Sequence, residues 1–251
     1  MSRKLFDSHC HIIDPRFPIV ANQGFSPAPF PLEAYLAETR PLGVVAGAVV
    51  SGSFQANDQT YLMECLPRLG AGWVGVTQIA NDCPDAEIKR LHGIGVRAVR
   101  FNLFRGRLDS VDDIVALATR VHAVAGWHAE LYVDAASLAP HVARLSKLPQ
   151  ISIDHLGMTE AGLPVLLELV AAGCKVKATG FGRVKLDVPA TLEAIAAKSP
   201  DALLFGTDIP STRAARPFQS SDIDLVEKVL GPELAWKAYW DNPATLYGRT
   251  S

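Results

Sequence analysis

What most restricts the fold of this chain is a repeated alternation. A short β-branched or apolar run is followed by an amphipathic stretch, eight times over in 251 residues. Parallel neighbouring strands need a crossover between them, so this alternation predicts βα units and a parallel sheet. Strands are expected at Lys4–His11, Val44–Ser51, Trp73–Ile79, Val96–Leu103, His128–Asp134, Ile151–His155, Lys175–Thr179 and Leu203–Asp208. Helices are expected near Leu32–Arg40, Asp58–Leu69, Asp85–His92, Val111–Ala125, Ala135–Lys147, Leu163–Ala172, Pro189–Ala197 and Ser221–Leu230, with Ala235–Tyr247 as a further candidate. Eight units in this length predict an α/β fold, a single (β/α)8 TIM-type barrel. The competing open sheet usually carries a Gly-rich phosphate loop after an early strand, and no G-x-G-x-x-G stands there. No linker or low-complexity tract interrupts residues 1–251, so one barrel domain is expected.

Barrel strands are buried on both faces, which makes polar residues inside them informative. In Asp7-Ser8-His9-Cys10-His11, period-two alternation puts Asp7, His9 and His11 on one face. Cys10 falls on the other and reads as packing. Strand four separates Val99 and Phe101 from Ala98, Arg100 and Asn102. Strand five separates Ala129, Leu131 and Val133 from His128, Glu130, Tyr132 and Asp134. Strand six ends at His155 and strand eight at Asp208. The C-terminal strand ends build the active site in this fold, so His9, His11, Arg100, Tyr132, His155 and Asp208 would converge there. Two imidazoles aimed at one point suit a divalent metal or a hydrogen-bonding pocket wall.

Bland roles compete for the same residues. Asp208 could cap the following segment, His155 could be a satisfied core histidine, and Arg100 could bridge internally to Glu130 or Asp134. Lys177 reads as a structural partner of Glu130 inside the barrel. Arg183 follows Gly180-Phe181-Gly182, where ligand contact and solvent exposure are both open. His92, His122 and His141 are expected on helix surfaces, and His128 near the opposite rim. Trp236 and Trp240, four apart, suggest a C-terminal helix packed on the barrel.

A net charge of −2 gives no basic footprint for nucleic acid and no membrane anchor. The first residues lack an apolar signal core, and Cys10, Cys65, Cys83 and Cys174 have no paired spacing. A cytoplasmic protein with reduced thiols is therefore expected.

The segments FDSHCH (Phe6–His11), GVRAVRFN (Gly95–Asn102), GWHAELY (Gly126–Tyr132), IDHLG (Ile153–Gly157), FGTDIP (Phe205–Pro210) and DNPATLY (Asp241–Tyr247) occur in order along nearly the whole chain. As an ordered set they resemble the amidohydrolase superfamily. The likeness is to its amidohydrolase 2 type, the lactonase group of the 2-pyrone-4,6-dicarboxylate hydrolases and sugar-acid lactonases. The resemblance implies hydrolysis of a carboxylated lactone, with Asp208 as general base and His9, His11 and His155 stabilising the oxyanion. It implies substrate contacts at Arg100, Tyr132 and Arg183, and more loosely at Ser51 and Ser53. Phe25 stands where the group carries an aromatic hydroxyl, and Arg105 or Arg107 takes the place of a displaced basic residue. The implied partner is a small anionic carboxylate or lactone.

The implied cofactor is none, or a single Zn²⁺ or Mn²⁺ held by His9, His11 and Asp208. Tyr132 stands where two-metal relatives carry a bridging ligand, which argues against a binuclear site. The alternatives are a metal-dependent decarboxylase or amide hydrolase of the same superfamily, and an inactive barrel that only binds a small carboxylate.

Overall fold

The structure, a computed structural model, describes residues 4–105 and 110–248. Eight parallel strands lie in sequence order: β1 Leu5–Cys10, β2 Val44–Val50, β3 Trp73–Thr77, β4 Val96–Asn102, β5 His128–Tyr132, β6 Ile151–Ile153, β7 Lys175–Ala178 and β8 Leu203–Phe205. Helices α1 Leu32–Thr39, α2 Thr60–Leu69, α3 Asp85–Gly93, α4 Val111–Ala125, α5 Val142–Leu145, α6 Leu163–Ala171, α7 Val188–Lys198, α8 Ser221–Trp236 and α9 Asn242–Leu246 alternate with or follow them. This is the expected eightfold barrel.

The helices begin where the sequence carries caps. Ser110 accepts from the Asp113 amide at the start of α4 while the Asp113 carboxylate accepts from the Ser110 amide, and Gly126 ends that helix at φ 68°. Asp187 caps α7 on the Ala190 amide, with Pro189 in the first turn.

Two expected helices take another form. The stretch after β5 is a 3₁₀ segment, Ala135–His141, followed by the single turn α5, and Pro140 inside it removes a helical donor. At the C-terminus α8 runs through to Trp236 across a break at Gly231 (φ 73°) and Pro232. A π turn, Lys237–Asp241, then leads into α9. The two tryptophans stack at 6.4 Å. Trp240 meets Phe6 edge-on at 6.3 Å, whereas Trp236 stays 43% exposed. Only Trp240 therefore does the packing expected of the pair.

Apolar side chains fill two shells. Leu5, Val49, Val99, Phe101, Leu131 and Ile153 face the helices. Phe6, Ala46, Ala48, Val50, Val76 and Leu204, with Tyr247 just beyond α9, plug the barrel interior. Each such buried Val, Leu or Phe contributes about 1.5–3 kcal/mol.

The barrel closes between β8 and β1 through hydrogen bonds beyond the strand ends. The Asp208 amide donates to the His9 carbonyl (2.7 Å) and the His11 amide to the Ile209 carbonyl (2.9 Å). The Asp7 carboxylate stitches the same seam by accepting from the Thr207 amide (2.8 Å) and hydroxyl (2.6 Å), the Tyr35 hydroxyl (2.8 Å) and the His9 amide (3.2 Å). The seam needs Gly206, because a Cβ there would stand 2.7 Å from the His9 nitrogen. The β1–β2 register is irregular between Asp7 and Cys10. That irregularity takes Asp7 off the face expected to hold it with the two histidines. No helix among the described residues is long and apolar enough to cross a membrane.

Candidate active site

Of the polar groups expected at the barrel mouth, His11, Arg100, Tyr132, His155 and Asp208 line one pocket, together with Arg105, Arg183 and Arg213. They lie at or just past the strand ends because the strands stop short of the expected boundaries. Asp208 follows β8 by three residues and His155 follows β6 by two. Both have left-handed backbones, φ 59° and φ 50°. Such conformations are costly for residues with a side chain and tend to collect at functional sites.

The left-handed turn explains how β6 contributes two groups. Ile153 faces the helices and Asp154 continues the inward face. His155 then turns back into the mouth instead of following Ile153 outward. Its Nδ1 lies 2.7 Å from the Thr179 hydroxyl, and its ring centroid is 4.8 Å from that of His9 and 5.0 Å from that of Tyr132.

Asp208 is the acid at the centre. Its Oδ1 lies 3.6 Å from His11 Nε2 and 3.9 Å from His9 Nε2. Its Oδ2 accepts from Arg183 Nε (2.9 Å) and from Arg183 Nη2. Burial alone would raise its pKa. The Arg183 charge works against burial and holds the carboxyl well below the usual carboxylate range. Arg183 is thus no solvent-exposed loop residue, since its side chain is 7% exposed and also reaches the Thr212 carbonyl (3.2 Å). Gly180 makes room for it, because a Cβ there would meet His155 Nδ1 at 2.7 Å and Arg183 Nε at 2.9 Å.

The histidines are not equivalent. His11 Nδ1 lies 2.7 Å from the Val50 carbonyl, which can only accept, so Nδ1 carries the proton and Nε2 offers a lone pair to the pocket. His9 Nδ1 lies 3.3 Å from the Lys177 ammonium and 3.5 Å from Asp154 Oδ1. An ammonium only donates, so it takes the Nδ1 lone pair and leaves the proton on Nε2, aimed towards Asp208. Burial pushes the pKa of His9 down to about 3 and that of His155 well below the usual value, so both rings are neutral at neutral pH.

Arg100 donates Nε (3.1 Å) and Nη2 (2.9 Å) to Asp154 and Nη1 to the Ser51 carbonyl (2.9 Å). Its internal partner is therefore Asp154, not Glu130 or Asp134. Asp154 was missed from sequence, although the D of the IDHLG segment was the available signal. The pairing of Lys177 with Glu130 is as expected, with Nζ 2.5 Å from Oε2. Ser53 and Phe25 line the pocket. The Ser51 hydroxyl instead bonds Tyr61 (2.8 Å) and Thr77 (3.3 Å). Tyr132 lines the pocket with its ring 5.2 Å from the Arg100 guanidinium. Arg105 also lines it, and Arg107 lies outside the described residues. His92 and His122 are half-buried and bond Trp127, rather than standing free on the surface. His128 is buried against Glu130 (3.0 Å).

Among the described residues, two sets bring potential metal-ligand atoms within 4.8 Å of one another: His9, His11 and Asp208, and His9, Asp154 and His155. His11 fits such a role, with Nε2 bare and Nδ1 braced on a carbonyl. His9 does not, because the Lys177 ammonium leaves the proton on the very nitrogen an ion would need. The Arg183 guanidinium already neutralises Asp208. The set as arranged fits a single divalent cation poorly.

The family described as Amidohydrolase matches residues 6–249. The chain is 26% identical over 272 residues to a 2-pyrone-4,6-dicarboxylate hydrolase of Comamonas testosteroni, covering 96% of this chain and 89% of that one. It is 28% identical over 273 residues to a 4-sulfomuconolactone hydrolase of Rhizobium radiobacter, covering 97% and 89%. An apo crystal structure from Agrobacterium tumefaciens superposes with a TM-score of 0.85 at 22% identity, covering 98% of this chain and 96% of that one, and shares the fold. With nearly its whole length matched, this chain belongs to the amidohydrolase family.

Proposed function

We propose that the protein hydrolyses a lactone that carries a carboxylate, such as a pyrone-dicarboxylate, a muconolactone or a sugar-acid lactone. One observation carries this reading: Asp208, His11 and His155 line a single arginine-rich pocket, with His9 beside Asp208 at its base. Similarity to two lactone hydrolases over almost the whole chain supports it.

The attacking water donates one hydrogen to Asp208 Oδ1 and the other to the His11 Nε2 lone pair, which face each other across 3.6 Å. Asp208 takes the proton as the water oxygen bonds to the lactone carbonyl carbon. The His9 Nε2 proton and the arginines stabilise the oxyanion that forms. The acyl C–O bond then breaks, and Asp208 returns the proton to the departing ring oxygen. The product is an open-chain acid.

Asp208 is a poor base while Arg183 holds it. A substrate carboxylate competes for that guanidinium and draws it off the acid as the substrate seats, so binding and activation of the base are coupled.

The test is acid release from a panel of carboxylated pyrones, muconolactones and sugar lactones, with Asp208→Asn as control and metal analysis before and after chelation. Turnover of one such lactone, lost in the variant and insensitive to chelator, is the expected result. No turnover across the panel overturns the reading. Chelator-sensitive cleavage of an amide, or loss of CO₂ from a carboxylate, replaces it with the metal-dependent alternative.

A further inference from the structure

Of the four guanidiniums lining the pocket, two are already neutralised, Arg100 by Asp154 and Arg183 by Asp208. Arg105 and Arg213 have no ion pair with a carboxylate among the described residues, and Arg105 Nε is buried without a hydrogen-bond partner. Two like charges facing one pocket are unfavourable unless an anion sits between them. Burial and the neighbouring Arg105 charge both depress the pKa of Arg213.

Arg213 is also held in place for binding. Its guanidinium lies 4.3 Å from the Phe25 ring centroid and donates Nη2 to the Asn22 carbonyl. Asn22 and Phe25 close a turn on each other through paired backbone bonds of 2.9 and 3.0 Å, so one rigid element fixes both contacts. Stacking leaves the edge of the planar guanidinium free for a two-point contact with an acid group. The backbone of this segment is strained to present it, with left-handed φ at Ser211 (59°) and Arg213 (60°) as well as at Asp208. The ring beneath Arg213 is Phe25, the position expected from sequence to carry a phenolic hydroxyl.

We propose that Arg213, stacked on Phe25 and facing Arg105, is a specificity-determining residue that binds a second acid group of the substrate, remote from the scissile carbonyl. The inference rests on the lactonase reading and narrows it: the substrate is a lactone with two anionic groups. One is held beside Asp208 by Arg183, and the other by the Arg213–Arg105 pair.

The experiment compares kcat/KM for 2-pyrone-4,6-dicarboxylate and 2-pyrone-6-carboxylate on the wild type and on Arg213→Gln, with Arg213→Lys as the charge-retaining variant. Arg213→Gln should lower kcat/KM for the dianion roughly 10- to 100-fold, mostly through KM, and change that for the monoanion less than about 3-fold. Arg213→Lys should recover part of the loss. Equal losses on both substrates, or none on either, overturn the proposal. A second arm does not depend on turnover: calorimetric binding of benzene-1,3-dicarboxylate against benzoate to folded wild type and variant. A preference for the dianion that Arg213→Gln abolishes upholds the subsite even if no lactone of the wider panel is hydrolysed, in which case only the lactonase reading fails. No preference in the wild type overturns the subsite.

Discussion

Two layers of buried polar side chains lie one above the other inside this barrel, and they are finished to different degrees. In the lower layer the charged groups are all paired, although the Ser152 hydroxyl beside Glu130 is buried without a partner. Glu130 accepts from the Lys177 ammonium on Oε2 and from the Tyr247 hydroxyl (2.6 Å) on Oε1, with His128 Nε2 3.0 Å away. In the upper layer His9 Nε2, Asp208 Oδ1 and Asp154 Oδ1 are buried without hydrogen-bond partners. Buried titratable atoms that the fold leaves unsatisfied cost stability, and here they lie in the upper layer. The lower layer holds the barrel and sets the His9 tautomer through Lys177. In the proposed reaction the upper layer acts on the substrate.

That division yields predictions that can break it. The largest effect is expected for Asp208→Asn, which should lower turnover of any lactone the wild type opens by about 10²- to 10⁴-fold or more while the protein stays folded, as judged by circular dichroism. A variant that loses stability but keeps its turnover would put Asp208 in the wrong layer. Next comes Lys177→Met, which strands the Glu130 charge and should cost about 3–5 kcal/mol in urea unfolding. Adding Glu130→Gln should recover much of that loss, and failure of the double variant to do so would mean the pair is not the lower layer's main tie.

The dependence on pH sharpens the comparison. His9 and His155 stay neutral in the fold, chiefly through burial, but take up protons near pH 6.5 when unfolded. Below that pH the unfolded state binds more protons, so stability falls as pH drops, by up to about 1.4 kcal/mol per pH unit for each ring. Below about pH 4 the carboxylates add loss of the same sign. Asp208 is held down by Arg183, and Asp154 by the Arg100 and Lys177 charges, against burial in both cases. Urea midpoints measured from pH 8 to 4 should therefore hold level at first and then decline. A level midpoint from pH 6 to 4.5 would contradict the neutral imidazoles. The smallest effect is expected for Ser51→Ala, about 1 kcal/mol of stability with KM unchanged, because its hydroxyl bonds Tyr61 and Thr77. A several-fold rise in KM would restore it to substrate binding.

The eight strands and their order were legible because the period of the apolar residues changes at each boundary, and burial enforces that period. The pocket residues Arg100, Tyr132 and Asp208 were legible because a charge or hydroxyl among buried neighbours stands out in any strand. Asp154 was hidden by alternation itself. With His155 taken as the inward residue, its neighbour falls on the wrong face, and only the left-handed turn at His155 lets both reach the interior. Asp7 was misplaced for a related reason, since a register irregularity in β1 is not written in the residue pattern. Arg213 carried no signal because it lies in a loop with neither period. Its partners, Phe25 and the Asn22 carbonyl, come from the other end of the chain.

The seam between first and last strands bears on how the molecule comes into being. Thr207 and Asp7, two hundred positions apart, are joined through a single carboxylate, and the neighbouring His9 carbonyl fixes the backbone of Asp208. During synthesis the two leading histidines leave the ribosome long before the acid they face. A chain that stops before β8 therefore lacks the assembled pocket, which is complete only when the final strand docks.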